Sequence, residues 1–316
     1  MLTRRDTLKL SALAGLASLL PGRLLHALER GELIKRAIPG TGEKLPIVGL
    51  GSSASFRRAA DSGDVGVVRD VIRALLDNGG TVFDTAPSYG ASEKVAGQVV
   101  QDLGATDKVF WATKLNVVPR GGVSADPDEA RAQAERSFSY IGKDPIDLIQ
   151  VHNLQDVPTQ MGVLKGLKAK GRLRYIGVTY TGESRYPDLV DVMRREPIDF
   201  IGIDYAVDNR NAATEVFPVA EERGIGVLVY LPFGRSRLWN RVAGRELPPW
   251  AAEIGIESWA QFFIKYAAAH PAVTAVTPAT SNVGHMLDDL AGGVGELPDA
   301  AMQTRMAKFV DALPGG

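Results

Sequence analysis

An aspartate, a tyrosine, a lysine and a histidine stand at Asp84, Tyr89, Lys114 and His152, at or just after the apolar runs 81–84, 108–113 and 146–151. The chemistry these residue types can share is narrow. A phenol titrates at about 10 and handles protons poorly at neutral pH unless a cation stabilises its phenolate. Lys114 can supply the cation, Asp84 can hold the ammonium, and His152 can hydrogen-bond to the same substrate oxygen. Such a group suits reduction of a carbonyl, where carbon gains hydride and oxygen gains a proton. No side chain donates hydride, so a nicotinamide cofactor is implied. Each type also has an ordinary use. Asp84 can accept from the following turn, Tyr89 can be a rim aromatic, Lys114 can extend to solvent, and His152 can be a satisfied strand-end residue. Convergence therefore depends on the elements that carry the four residues.

Strand-length apolar runs recur at 47–50, 81–84, 108–113, 146–151, 174–179, 198–204, 225–231 and 272–277. Between them lie segments of helical period at 64–78, 92–103, 127–140, 158–170, 184–195, 211–223 and 257–269. Strands apolar on both faces and separated by helices call for a parallel sheet covered by helices. Closing that sheet gives an α/β fold of the (β/α)8 TIM barrel type, usually about 250 residues long. A doubly wound open sheet is the rival, but Gly49-Leu50-Gly51-Ser52-Ser53-Ala54 lacks the third glycine of the dinucleotide fingerprint. Segments 33–38 and 44–48 flank Pro39-Gly40-Thr41-Gly42 and predict a short N-terminal hairpin, while 283–291 and 298–312 predict terminal helices. Barrel chemistry sits on the loops at the carboxyl ends of the strands, which directs Asp84, Lys114 and His152 to one rim with Tyr89 a short loop away. The irregular stretch 232–255 is long enough to serve as a lid or cofactor clamp. Glu93, at a helix start, and His270, at a helix end, have ordinary explanations and stand outside the catalytic set.

Composition narrows the classes further. The chain has 316 residues, with 36 Lys and Arg against 37 Asp and Glu, so no basic field exists to attract nucleic acid. The absence of Cys excludes thiol catalysis and Cys-ligated metals, and the four His, at 26, 152, 270 and 285, form no helical metal motif, so no metal site is expected. Residues 1–28 differ from the rest: Thr3-Arg4-Arg5-Asp6-Thr7-Leu8-Lys9 precedes an Ala/Leu-rich run from 10 to 20 and then Pro21-Gly22. A basic head with a short apolar centre reads as a targeting segment, and the paired arginines resemble a twin-arginine export signal, with Thr7 where Phe is usual. The expectation is a signal segment at 1–28, a barrel domain at 29–316, contact with the twin-arginine export machinery, and a periplasmic or otherwise exported protein, membrane-tethered if the segment is uncleaved.

The stretch Phe83-Asp84-Thr85-Ala86-Pro87-Ser88-Tyr89-Gly90-Ala91-Ser92-Glu93, with Ala112-Thr113-Lys114 and Val151-His152-Asn153, resembles the aldo-keto reductase superfamily and its Asp-Tyr-Lys-His tetrad. The resemblance covers nearly the whole chain after residue 33 and implies NAD(P)H-dependent reduction of an aldehyde or ketone. In it Tyr89 is the general acid, Lys114 and Asp84 tune it, and His152 orients the carbonyl. It also implies an extended cofactor across the carboxyl face, reached by Gly51, Ser52 and Asp84. Tyr230 matches the aromatic that stacks on nicotinamide, and Leu231, Pro232, Gly234, Arg235 and Leu238 match the pyrophosphate loop. Thr179 stands where the family often has Ser, while Tyr180 and Gly202 replace its carboxamide-holding Asn and Gln. Thr280, Ser281, Asn282 and His285 match the segment around the adenosine ribose phosphate, with Asp288 and Asp289 toward adenine. Ala279 and His285 fall where the family commonly has cations, so NADP and NAD both remain open. Substrate choice is expected to depend on loops around Phe56, Tyr180 and 235–250. The same residues serve a sugar or alcohol dehydrogenase running toward oxidation, and a nucleotide-binding sensory protein with little turnover is the alternative of another class.

Overall fold

The computed structural model describes residues 31–314. The segment read as an export signal, 1–28, lies outside the described residues. A hairpin opens the fold: β1 (Lys35–Ala37) pairs antiparallel with β2 (Lys44–Pro46). Eight parallel strands follow: β3 (Leu50–Gly51), β4 (Val82–Asp84), β5 (Phe110–Leu115), β6 (Ile146–Val151), β7 (Leu173–Tyr180), β8 (Phe200–Asp204), β9 (Gly226–Tyr230) and β10 (Val273–Val276). They are hydrogen-bonded in chain order from β3 to β10. The two ends of the sheet meet through parallel bridges Val48 to Val276 and Gly51 to Ala279, where Gly49 N donates to Val276 O at 2.9 Å and Gly51 N to Pro278 O at 2.8 Å. The sheet is thus a closed (β/α)8 barrel.

Helices cover its outside. They are α1 (Ala54–Asp61), α2 (Val65–Asp77), α3 (Ser92–Asp102), α4 (Pro127–Ile141), α5 (Val157–Ala169), α6 (Tyr186–Arg195), α7 (Ala212–Glu215), α8 (Phe217–Arg223), α9 (Arg237–Val242), α10 (Trp259–Ala269), α11 (Val283–Ala291) and α12 (Ala300–Asp311). Their starts carry the expected chemistry: Asp64, Asp126, Asp156, Ser258, Asn282 and Asp299 each accept a backbone N–H of the following first turn. The helix expected at 211–223 is divided into α7 and α8, because Pro218 has no N–H to carry the ladder through. Helix α1 was not anticipated. It buries Phe56 edge-on against Phe83, centroids 5.5 Å apart, so Phe56 belongs to the core and not to a substrate loop. The stretch 232–255, expected to be irregular, contains α9 and two short 3-10 turns, Gly234–Ser236 and Pro249–Ile254.

Strand alternation sorts the core into two parts. Residues facing outward, such as Phe83, Trp111, Ile149, Ile176, Ile201 and Val227, pack beneath the helices. Inward residues Val82, Phe110, Ala112, Leu148, Tyr175, Phe200, Leu228 and Ala275 form a separate cluster, which Ile38 and Leu45 of the hairpin close from below. A depression of about 280 Å³ beside the hairpin, lined in part by Pro39, Tyr175 and Arg223, therefore lies at the opposite end from the carboxyl ends of the strands.

Candidate active site

The inward parity of the strands builds the site. Two residues beyond Val82, Ala112, Leu148 and Leu228, the apolar filling gives way to Asp84, Lys114, Gln150 and Tyr230. Register aligns Lys114 with Gln150 across β5 and β6. The Lys114 ammonium donates to Asp84 Oδ1 at 2.8 Å, to Asp84 Oδ2 at 3.0 Å and to Thr85 O at 2.7 Å. Its three protons are thereby satisfied at a site from which water is excluded, since Lys114 is 1% exposed. The same nitrogen lies 5.3 Å from the Tyr89 ring centroid and 5.2 Å from that of Tyr230. Tyr89 and His152 meet edge to face, centroids 5.9 Å apart, and Ser88 Oγ is 3.5 Å from His152 Nδ1. The four residues singled out by sequence thus converge on the carboxyl rim, with Lys114 one residue inside the end of β5.

Burial dominates the electrostatics. It pushes the Asp84 carboxyl above its usual range, against the pull of Lys114 and the hydroxyl of Tyr230. For Lys114, burial acts downward, but attraction to Asp84 and then to Tyr89 outweighs it and holds the amine above its ordinary value. The direction that governs the pair is the lysine's, because three well-placed acceptors require an ammonium. Burial also raises Tyr89, and Lys114 and Arg235 only partly offset it. The sequence-based expectation of a phenolate brought near neutrality is thereby revised: Tyr89 stays protonated, the form a general acid needs. His152 is lowered to about 3, chiefly by burial and then by Lys114, so its imidazole is neutral.

A pH prediction follows from His152. Its folded value of about 3 lies below the ordinary 6.5, so between those values the unfolded chain binds a proton that the folded one does not. The group's contribution to stability is complete above 6.5 and falls as the pH drops, by about 1.4 kcal/mol per unit. His152→Gln should remove this component of acid sensitivity in urea unfolding at pH 5 and 7. The imidazole resonance of His152 should stay flat from pH 5 to 8, and titration near 6.5 would refute the placement.

Supporting residues lie one layer out. Asp61 at the end of α1 accepts from Ala91 N at 2.7 Å and ties down the loop that carries Tyr89. Glu93, in the first turn of α3, is buried and accepts from Thr113 Oγ1 at 2.5 Å and Ser137 Oγ at 3.1 Å, joining α3 to the strand that bears Lys114. Asp208 receives both Arg237 Nε and Nη2, at 2.7 and 2.8 Å, and anchors the start of α9. Sequence reasoning did not identify Asp61, Asp208 or Gln150. Gln150 left a trace, since a polar residue two positions beyond Leu148 breaks the inward apolar row.

The expected cofactor residues, Leu238 apart, lie along this rim or on its supports. Gly51 pairs with Asp84, and Ser52, fully buried, donates its N–H to Asp84 O at 2.9 Å while its hydroxyl has no protein partner. Thr179 Oγ1 accepts from Asn153 N at 3.2 Å. Leu231, Gly234, Arg235 and Ser236 adopt left-handed backbone angles after β9, and Pro232 lies in the same turn. Arg235 Nη2 reaches Thr181 Oγ1 at 3.2 Å, whereas Leu238 is completely buried in the core. Beyond β10, Thr280 Oγ1 accepts from Asn282 N at 3.1 Å, and Asn282 caps α11 through His285 N at 3.0 Å. Ser281 is half-buried between them and His285 is exposed on α11's first turn. Asp288 accepts from Ser258 Oγ and Gln261 Nε2 at 2.8 and 2.7 Å, and burial raises both it and Asp289.

A closed barrel with a buried lysine–aspartate pair beneath a rim tyrosine and a neutral histidine defines a class. Residues 48–307 match the family model described as the Aldo/keto reductase family. The chain belongs to that family. Among curated proteins it is similar to the aldo-keto reductase str7 of Strobilurus tenacellus, 29% identical over 203 residues, which is 60% of this chain and 59% of the relative. Among solved structures it is similar to the holo form of aldo-keto reductase AKR11C1 from Bacillus halodurans, with TM-score 0.71, 21% identity, and coverage of 88% of this chain and 96% of that one. An aldo/keto reductase from Klebsiella pneumoniae in complex with NADP and acetate gives TM-score 0.69 at 20% identity, covering 86% and 94%.

Proposed function

We propose that the chain is an exported NAD(P)H-dependent oxidoreductase that interconverts a small aldehyde or ketone and its alcohol. The carrying observation is the fully satisfied Lys114 ammonium on Asp84, set 5.3 Å from the ring of Tyr89. The residues present fit a nicotinamide nucleotide: Ser52 offers an unpartnered buried hydroxyl beside Asp84, and the capped start of α11 offers N–H groups suited to phosphate oxygens. Ser52, Thr179, Tyr230, Arg235, Thr280, Ser281 and His285 are the groups that would hold it, and when bound it supplies hydride. Neutral His152 donates to the substrate oxygen and sets its direction. Tyr89 then delivers its proton to that oxygen, while Lys114 stabilises the phenolate left behind. The Klebsiella pneumoniae aldo/keto reductase solved with NADP and acetate supports the use of a nicotinamide nucleotide.

Cofactor titration tests it. With Ala279 and His285 at the places of the family's usual cations, one charge-assisted hydrogen bond is missing, worth about 1.5–3 kcal/mol or about one to two decades of preference. Both NADPH and NADH should bind the folded chain, with dissociation constants within about 100-fold at fixed ionic strength. Failure to bind either would reject the enzyme reading.

Export rests on Arg4 and Arg5 ahead of the apolar run. Replacing both with Lys should leave the folded protein in the cytoplasm, as fractionation would read. Efficient export of the double variant would reject the twin-arginine route.

A further inference from the structure

The Tyr230 ring enters the barrel because residue 202 has no side chain. A Cβ on Gly202 would stand 2.4 Å from both Cε2 and the hydroxyl oxygen of Tyr230, so the ring fills the place where any other residue on β8 would project. There the hydroxyl donates to Asp84 Oδ2 at 2.9 Å and accepts from Gln150 Nε2 at 3.1 Å. Gln150 is fully buried, and its own oxygen has no partner, so its amide is committed through the nitrogen to this one oxygen. A line of bonded groups thus runs from β6 through β9 to β4 and ends on Lys114. Stacking on a flat ligand needs only the ring; it gives no reason for a hydroxyl tied on both sides.

We infer that Tyr230 is a positioning residue for the acid–base pair: its hydroxyl, admitted by Gly202 and oriented by Gln150, fixes Asp84 and thereby the ammonium beneath Tyr89. This rests on the reading of Tyr89 as proton donor given above. Asp84 carries negative charge shared between the ammonium and the phenol. Without the phenol, that charge bears more fully on Lys114 and Tyr89, disfavouring a phenolate at Tyr89. Besides Lys114 and Tyr230, the titratable and charged groups around this position are Tyr89 on its loop, His152 at the end of β6, Glu93 on α3 and Arg235 after β9. The histidine is neutral in the working range, and Glu93 faces Thr113 and Ser137 on the far side of the strand.

Tyr230→Phe keeps the ring and deletes the hydroxyl. Three quantities are compared with wild type and Tyr89→Phe: pre-steady-state hydride transfer against pH, cofactor dissociation constants, and the carboxyl carbon resonance of Asp84 in cofactor-free protein, assigned by its loss in Asp84→Asn. The expected result is about tenfold slower hydride transfer, an alkaline limb moved to higher pH, a displaced Asp84 resonance, and cofactor affinity within about threefold of wild type. Gly202→Ala, which pushes the hydroxyl off the carboxylate, should displace the same resonance and serves if the first variant does not fold. An unmoved Asp84 resonance in the folded variant, or an unchanged or lowered limb, overturns the inference. Loss of cofactor affinity equal to the loss of rate also overturns it, because ring contact would then explain the effect. If Tyr89→Phe itself transfers hydride at the wild-type rate, the proton-donor reading fails, and the Asp84 resonance still decides whether Tyr230 fixes that carboxylate.

Discussion

Tyr89→Phe should slow hydride transfer by about 10²- to 10⁴-fold while leaving the barrel folded and nicotinamide binding nearly intact. The phenol lies on a loop fastened by Asp61 to Ala91 N, and phenylalanine retains the edge contact with His152, so the variant subtracts a proton and little else. The loss should therefore appear in turnover and not in cofactor affinity. Single-turnover mixing with a small aldehyde that the wild type reduces is the measurement. A wild-type rate would remove Tyr89 from the mechanism and leave His152 or a bound water as the acid.

Lys114→Met should have the largest combined effect, on stability as well as on rate. Asp84 is 4% exposed, and removing the ammonium leaves it with the Tyr230 hydroxyl as its side-chain donor. Breaking a buried pair by deleting one partner costs about 3–5 kcal/mol. Denaturant unfolding should show a loss of that order, and Asp84→Asn combined with Lys114→Met should recover much of it, because the uncompensated charge is then gone. Turnover should stay low in both, since neither has the cation that stabilises phenolate. A single variant as stable as wild type would mean that Asp84 finds another counter-charge.

These side chains were legible in the sequence for a definable reason. Each ends or closely follows an apolar run, and a barrel converts strand ends into a common rim, so the sequence alone groups Asp84, Lys114 and His152. The barrel itself showed in the alternation of short apolar runs with capped helical periods. Helix α1 did not show, because its eight residues, with Arg57 and Arg58 in the middle, carry only Phe56 and Ala60 into the core. The place of Tyr230 was beyond sequence reasoning. It depends on an absent Cβ at Gly202, on the neighbouring strand, and on a carboxylate that lies 146 residues away in the chain. The protonated state of Tyr89 was likewise hidden, because burial is a property of the assembled rim and opposes the nearby cation.

The hairpin below the barrel has a consequence for how protons travel. Ile38 and Leu45 stop the lower mouth, and Arg36 bonds to the carbonyls of His270 and Val273 across that end, so the interior is a vessel with one opening. Lys114 sits at the bottom of the polar layer, above several tiers of hydrocarbon and sealed from solvent. Whatever proton replenishes Tyr89 after a turnover arrives from the carboxyl rim, through the same mouth that admits substrate. Chemical supply and proton supply share one gate, and a molecule seated there governs both.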